Sequence, residues 1–407
     1  MEHVPYVIVG GGLAGTAAAD TIRRRDKTGR VLMICGEPHQ PYDRVPLSKD
    51  YLLGKVEREQ VFLRKPRFYE RNHIELLLDQ PATGLDITQR LVTLADGRQI
   101  GFDILLLATG GRPRRLAIPG ADLAGIHYLR NIEDTEALQQ AVSHARRAVV
   151  IGGGFIGCEV ATAFARLGLT TTVVELTPAV LSLVVDAETS RVVTSYLQQQ
   201  GVSVYANTGA SRFVGEPGRV TAVVTSTGEE LAADIVTVGV GIVLNTELAA
   251  AAGLTVDNGV VVNEYLEAAD GIFAAGDIAR YYSPIFARHM RVEHYDVALQ
   301  HGRLAGANMT GERRAYTDIP YFFSFMGDLH INVVGDMSRR EHYVRRGTLG
   351  LEPGFMQFYF ADGLLQAALS VNRNGALLQA ARERIVSRHA VRDPAAFADA
   401  HQDLGSL

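Results

Sequence analysis

The sequence predicts an α/β chain in which two doubly wound parallel sheets are opened by the same βαβ beginning, with a smaller α+β region after them. Three observations carry this reading. A strand, glycine turn and helix occur twice, at residues 6–24 (YVIVGGGLAGTAAADTIRR) and 148–166 (AVVIGGGFIGCEVATAFAR), and the two copies match in pattern without a gap. Two further apolar runs end in small residues, ILLLATG at 104–110 and IFAAGD at 272–277. Beyond residue 315, short strand-like runs at 331–334, 357–360 and 364–370 precede helical patterns at 375–386 and 394–400.

The two glycine turns explain themselves chemically. Gly10 and Gly152 permit the tight turn that leaves the strand. Gly12 and Gly154 have no Cβ, so a pyrophosphate can approach the backbone, and Gly15 and Gly157 let the helix pack close to the sheet. The first helical residues, Leu13 and Ala14 in one copy and Phe155 and Ile156 in the other, then offer free N–H groups and a partial positive charge to phosphate. One GxGxxG alone is a weak signal. Here a strand precedes and a helix follows in both copies, which makes two Rossmann-like dinucleotide sites.

Acidic residues follow at the expected distance. Glu175 comes 21 residues after Gly154 (175 − 154), at the end of the next strand-like run, 171–175, where a carboxylate accepts from a ribose 2′-OH. It would repel a 2′-phosphate, and no Arg or Lys occurs between Thr170 and Ser190, so NADH is favoured over NADPH. Glu37, two residues past the run 31–35, is the counterpart in the first copy. Ala108, Thr109 and Gly110 close one further strand; Gly276 and Asp277 close the other, where a carboxylate beside a glycine suits a ribityl hydroxyl of FAD. Gly241, in the run that closes the second copy, is a further nucleotide candidate. One site for FAD and one for NADH is the expected pairing. The Ala-rich segment 247–254 reads as a helix.

Composition excludes several classes. The 407 residues are 47% hydrophobic and 21% charged, which excludes disorder and a fibre, and the net charge of −5 lacks the basic excess of a nucleic-acid binder. Two cysteines are too few for a disulfide framework or a four-Cys zinc site. His289, His294 and His301 have no metal-ligand spacing, so no metal is expected. The first strand begins almost at residue 1, and the longest mainly apolar run, 235–244, falls short of the roughly 18 to 20 residues that span a bilayer. A cytoplasmic protein with no membrane partner is expected, as monomer or homodimer.

With these motifs in this order, the chain resembles the FAD/NAD(P)-binding pyridine nucleotide-disulfide oxidoreductase superfamily. Residues 41–49, PYDRVPLSK, narrow the resemblance to the P-x-x-R-P-P-L-S-K signature of NADH-dependent ferredoxin reductases that serve oxygenase systems. The resemblance implies an FAD-binding domain at 1–114 and 247–314, interrupted by an NAD(H)-binding domain at 115–246, and a C-terminal α+β domain at 315–407. It implies that Arg44 and Lys49 contact FAD, and that Glu159 pairs with Lys49 and touches the nicotinamide. Phe155 would be the aromatic that yields when the nicotinamide stacks. Thr109, Gly110 and Arg112 match its A-T-G-x-R-P, and Asp277 its second FAD motif. Glu293, His294 and Tyr295, in VEHYDVALQHG, resemble V-E-H-W-x-x-A-x-x-Q-G, where a helix points at the flavin pyrimidine.

The departures cluster. Tyr295 replaces a Trp, and P-W-F-W-S-D-Q becomes PYFFSFM at 320–326, so Phe323 stands for a Trp near the flavin edge and Phe325-Met326 for Asp-Gln. The arginines that follow the acidic residue in the family are Ala179 and Leu183 here. No C-x-x-x-x-C occurs and residues 41–49 hold no Cys, so no thiol relay is expected. Cys35 reads as packed. Cys158 lies near a helix N-terminus, a position that can lower a thiol pKa, although no redox role is expected of it. Arg339, Arg340, Arg345 and Arg346 form a basic cluster with two readings, a dock for an acidic ferredoxin or a solvated hairpin.

The implied function is an FAD-dependent NADH:ferredoxin oxidoreductase. Hydride passes from NADH to the flavin, and single electrons pass to a 2Fe–2S ferredoxin or similar carrier serving an oxygenase or P450 system. The alternatives are an NADH oxidase or diaphorase using O2 or a quinone, and an NADH-binding redox sensor of the apoptosis-inducing-factor type.

Overall fold

The computed structural model describes residues 2–216, 218–373 and 375–405. They form two compact units, one of Met1–Asp43, Arg58–Arg112 and Val243–Pro320, the other of Arg44–Glu57, Pro113–Ile242 and Tyr321–Leu407.

In the first unit, Glu2–Val9 lies between Val31–Ile34 and Gln99–Leu107, all parallel, with Tyr6 opposite Val31 on one side and Ile104 on the other. Ile74–Leu77 and Ile272–Ala274 extend this parallel sheet outwards, and Glu267–Ala269 closes one edge antiparallel. Val7 and Ile8 are fully buried, as parallel strands covered on both faces must be. The helix Leu13–Arg25 is rich in alanine because it packs against Tyr295–Met309 almost backbone to backbone. A Cβ on Gly302 would lie 2.2 Å from the Ala14 carbonyl oxygen.

The second unit repeats the plan. Its parallel sheet runs in the order Val202–Tyr205, Thr170–Val174, Arg147–Ile151, Ile235–Val238, Ile126–Tyr128. Helix Phe155–Arg166 follows the central strand. Tyr321–Met326, Leu329–Gly335, Leu364–Val371, Phe355–Ala361 and His342–Gly347 form an antiparallel sheet in that spatial order, backed by helix Gly375–Ser387. Two of these five strands had no counterpart in the sequence reading. Tyr321–Met326 carries large side chains on both faces, and His342–Gly347 is a polar edge strand, so neither alternates cleanly. The helix expected at 247–254 ends earlier, as Glu247–Ala251, because Gly253 takes a left-handed φ of +81°. Residues 394–398 form a 3₁₀ turn rather than an α-helix.

One hydrophobic core explains why the insert and the C-terminal sheet form a single unit. Leu138, Val150, Phe164 and Val173 share it with Met326, Ile331, Phe355 and Leu369. Arg44–Glu57 is tied into the same body: Leu52 lies in that core, the Tyr51 hydroxyl donates to Glu136 at 2.8 Å, and Gln139 donates to the Tyr51 carbonyl at 2.5 Å. Among the described residues no helix is long and apolar enough to cross a membrane.

Candidate active site

Each parallel sheet places its motif loops at the carboxyl ends of adjacent strands. In the first unit these are the glycine turn after Val9, Glu37 beyond Ile34, Ala108–Gly110 after Leu107 and Gly276–Asp277 after Ala274. In the second they are the turn after Ile151, Glu175 after Val174 and Gly241 beyond Val238. In both sheets chain order reverses beside the strand that leads into the glycine turn, which is where open α/β sheets bind ligands.

The glycines divide their labour identically in the two turns. Gly10 (φ +123°) and Gly152 (φ +102°) need left-handed backbone, and a Cβ there would lie 2.1 Å and 2.3 Å from the carbonyl oxygens of Ala108 and Gly239. A Cβ on Gly15 would meet the Gly10 carbonyl at 2.1 Å, and one on Gly157 the Gly152 carbonyl at 1.9 Å. Gly12 and Gly154 differ: no protein atom lies within 4 Å of a Cβ placed on either. Both are helix N-caps with no side-chain cap, so the first N–H groups of each helix have no intrahelical acceptor. Helices Ile132–Val142 and Ala187–Gln199, by contrast, are closed by the side chains of Asn131 and Asp186. Open space beside unsatisfied N–H donors fits a diphosphate in both turns.

Around the first turn, Glu37 accepts from the Tyr42 hydroxyl. Thr109 donates to the Asn245 carbonyl at 2.6 Å, and the Asn245 amide returns a bond to the Thr109 carbonyl at 2.9 Å. Arg112 is engaged by Asn245 at 2.7 Å and Glu247 at 2.7 Å. Asn245 thus clips the turn after Gly110, and no local motif signals it. A Cβ on Gly276 would lie 3.2 Å from that of Ala14, so the Gly276–Asp277 turn abuts the first helix. Glu293 pairs with Arg291 at 2.5 Å. Burial lowers the pKa of His294, the N-cap of Tyr295–Met309, to about 4, and burial raises that of Tyr295.

Around the second turn, the Glu175 carboxylate accepts from the Gly153 N–H at 2.5 Å and from the Thr177 N–H and hydroxyl at 2.7 Å each. The loop beyond it exposes Leu176 and Leu183, 74% and 81% accessible, and Ile156 on the adjoining helix is also exposed.

The most connected group is Glu159, one turn into helix Phe155–Arg166 and 5% exposed. Its carboxylate lies 2.7 Å from the Lys49 ammonium and accepts from the hydroxyls of Ser48 at 2.6 Å and Ser324 at 2.7 Å. Strand alternation explains the convergence. Phe322, Ser324 and Met326 share one face of Tyr321–Met326; Phe322 meets Phe155 edge to face at 4.9 Å while Ser324 reaches Glu159. Tyr321, Phe323 and Phe325 line the other face as a ladder of rings, with centroids 6.2 and 5.2 Å apart along the strand. Arg44 donates to the Arg130 carbonyl at 2.6 Å. Ser48 and Ser324 were not singled out in the sequence, although both lie within the motifs quoted there.

Two expectations are corrected. The four arginines do not form one basic patch. Arg346 is buried, donating to the Phe397 carbonyl at 2.8 Å, while Arg345 pairs with Glu188 at 2.6 Å and Arg339 with Asp362 at 2.7 Å. Cys158 is fully buried, with its thiol 3.4 Å from the Gly153 carbonyl, and burial raises its pKa rather than letting the helix N-terminus lower it. Cys35, pushed up to about 12 by burial and by Glu37, packs against Gly11. Among the described residues no group of three His, Cys, Asp or Glu could hold a metal.

Residues 4–302 match the family described as pyridine nucleotide-disulphide oxidoreductase, and residues 321–407 match its reductase C-terminal domain. The chain belongs to the pyridine nucleotide-disulphide oxidoreductase family. It is an NAD(P)H oxidoreductase, and membership implies FAD and NAD(P)H. The chain is 36% identical to rhodocoxin reductase of Rhodococcus erythropolis, over 90% of this chain and 86% of that one. It is 34% identical to the ferredoxin–NAD(+) reductase component of the biphenyl dioxygenase system of Paraburkholderia xenovorans, over 90% and 89%. The structure of the covalent putidaredoxin reductase–putidaredoxin complex superposes with a TM-score of 0.94 at 33% identity, covering 100% of this chain and 98% of that one.

Proposed function

We propose that the chain is an FAD-dependent NADH:ferredoxin oxidoreductase that delivers electrons to a 2Fe–2S protein of an oxygenase or P450 system. The first glycine turn, in a domain of residues 1–114 and 247–314, would hold FAD. The insert 115–246 would hold NADH, and residues 315–407 would form the C-terminal α+β domain. A cytoplasmic location suits this work. The observation that carries the reading is the Lys49–Glu159 pair, joined by Ser48 and Ser324 beside the half-buried ring of Phe155. The names of its relatives support it, since each is a reductase of a small electron-carrier protein or of the system that uses one.

Bound FAD supplies acceptance of a hydride from the nicotinamide and release of electrons one at a time. The protein's part is binding and alignment. The N–H groups at Leu13, Ala14 and Gly15 would take the FAD diphosphate, and those at Phe155, Ile156 and Gly157 the NADH diphosphate. Glu175, already oriented by Gly153 and Thr177, would accept from the adenosine ribose. With apolar Leu176 and Leu183 beside it and no cation on its loop, the site selects NADH over NADPH. Lys49 and Glu159 would orient the nicotinamide and fix the local charge, with their own geometry set by the two serines. Phe155, braced on Phe322, would be displaced as the nicotinamide stacks.

The test is anaerobic stopped-flow mixing with NADH or NADPH, followed by mixing with 2Fe–2S ferredoxins, cytochrome c, quinones or O2. Fast reduction by NADH and rapid reoxidation only by an iron–sulfur protein are expected. Rapid turnover in air without a protein acceptor would replace this reading with an oxidase.

A further inference from the structure

The second unit contains a cavity of about 330 Å³ that begins at the Lys49–Glu159 pair of the proposed site and extends away from it. Its size lies within the range of about 300 to 1,000 Å³ usual for small-molecule sites. It runs along helix Phe155–Arg166 from Glu159 to Arg166, a displacement of about 10 Å at 1.5 Å per residue, away from the glycine turn that opens this helix. The inner end is the Lys49–Glu159 pair, whose charges answer each other at 2.7 Å. The wall is apolar, made by Leu53, Ala163, Met326 and the half-exposed ring of Phe325.

The more exposed lining carries two cations, Lys55 and Arg166, and one carboxylate, Asp50, a net charge of +1. Each cation is held only loosely. Lys55 is 3.9 Å from Asp50, and Arg166 is 3.5 Å from Asp328, whose side chain is 85% exposed. Such pairings are worth little, so the exposed Lys55 can turn to an incoming anion while Arg166, packed beneath the Gly327 turn, keeps its guanidinium in place for one. The Phe325 ring packs edge to face on His330 at 4.7 Å, which fixes an aromatic surface at the same opening. Phe325 and Met326 stand where the related signature has Asp and Gln, so this chain has one carboxylate fewer and one ring more at the mouth.

We propose that this cavity binds a small aryl carboxylate, with its ring against Phe325 and Met326 and its carboxylate between Arg166 and Lys55. The apolar wall supplies burial, and the paired cations supply charge-assisted hydrogen bonds. A cationic or neutral ligand of the same shape lacks the second contribution.

Benzoate is the probe, titrated calorimetrically into the purified FAD-loaded protein at low salt. Saturable one-to-one binding is expected, with benzamide at least tenfold weaker and added salt raising the Kd. Lys55→Gln and Arg166→Gln should each weaken benzoate at least fivefold, and Phe325→Asp should abolish binding. Gly154→Ala should leave it unchanged, which separates the cavity from the dinucleotide turn. Arg166 also lies beneath the Gly327 turn, so if its variant fails to fold, the exposed Lys55 and Phe325 variants carry the test. No saturable binding at millimolar benzoate, equal binding of benzamide, or undiminished binding in Lys55→Gln and Phe325→Asp would overturn the proposal.

Discussion

Two glycine-to-alanine substitutions three residues apart should have opposite consequences. Gly12 sits at φ −81° and ψ −170°, which alanine adopts freely, and a Cβ there meets no protein atom within 4 Å. Gly12→Ala should gain about 0.4–1 kcal/mol by restricting the unfolded chain. Alanine is a poorer N-cap than glycine, and that loss is of similar size, roughly 0.5–1 kcal/mol. The stability of the apoprotein should therefore stay within about 1 kcal/mol of wild type. Gly15→Ala places a methyl group 2.1 Å from the Gly10 carbonyl oxygen, a backbone atom that cannot swing aside. Helix propensity favours alanine by about 1 kcal/mol, but relieving such overlap costs on the order of 1–3 kcal/mol or more, and the overlap should win. The methyl group of Gly12→Ala instead occupies the space left for a diphosphate, and FAD affinity should fall at least about tenfold, or 1.4 kcal/mol. Urea unfolding of both apoproteins and fluorescence titration with FAD read the two effects separately. If Gly12→Ala destabilises the apoprotein as much as Gly15→Ala does, or binds FAD as tightly as wild type, the division of labour assigned to the turn is wrong.

Three further outcomes are expected. Glu159→Gln keeps the shape but leaves the Lys49 ammonium without its carboxylate; stopped-flow flavin reduction should slow at least tenfold with FAD retained, and urea unfolding should show a loss of about 1–3 kcal/mol, since Lys49 keeps some contact with water. His301 is fully buried between the rings of Tyr281 and Tyr316, and burial lowers its pKa to about 3 from 6.5. The unfolded chain then binds more protons than the fold between those values, so this contribution is intact above pH 6.5 and should shrink by about 2 kcal/mol at pH 5. Urea unfolding of His301→Phe should show that much less loss between pH 7.5 and pH 5. Arg346→Met removes donors to the carbonyls of Phe397 and Gln402, and limited proteolysis should cut near residues 390–402 faster, whereas Arg339→Ala, at an exposed pair, should leave the cleavage rate unchanged.

Much of the fold was legible because its signals are local. A glycine turn, the strand before it and the helix after it occupy fewer than twenty consecutive residues, and the steric needs of that turn are the same in any chain that makes it. The ends of the other parallel strands could be read the same way. The C-terminal sheet was only partly legible: a strand with rings on both faces, or a polar strand at an edge, lacks the alternation that identifies a half-buried one.

By itself, then, the sequence determined the two glycine turns, their order and the steric role of each glycine in them. Only the tertiary structure decided what surrounds Glu159, because Ser48 and Ser324 reach it from 111 and 165 residues away. It also decided the fate of the arginine run. Neighbouring residues of a strand point to opposite faces, and which face is covered depends on distant segments. Arg345 therefore meets Glu188, while Arg346 is buried against the carbonyl of Phe397.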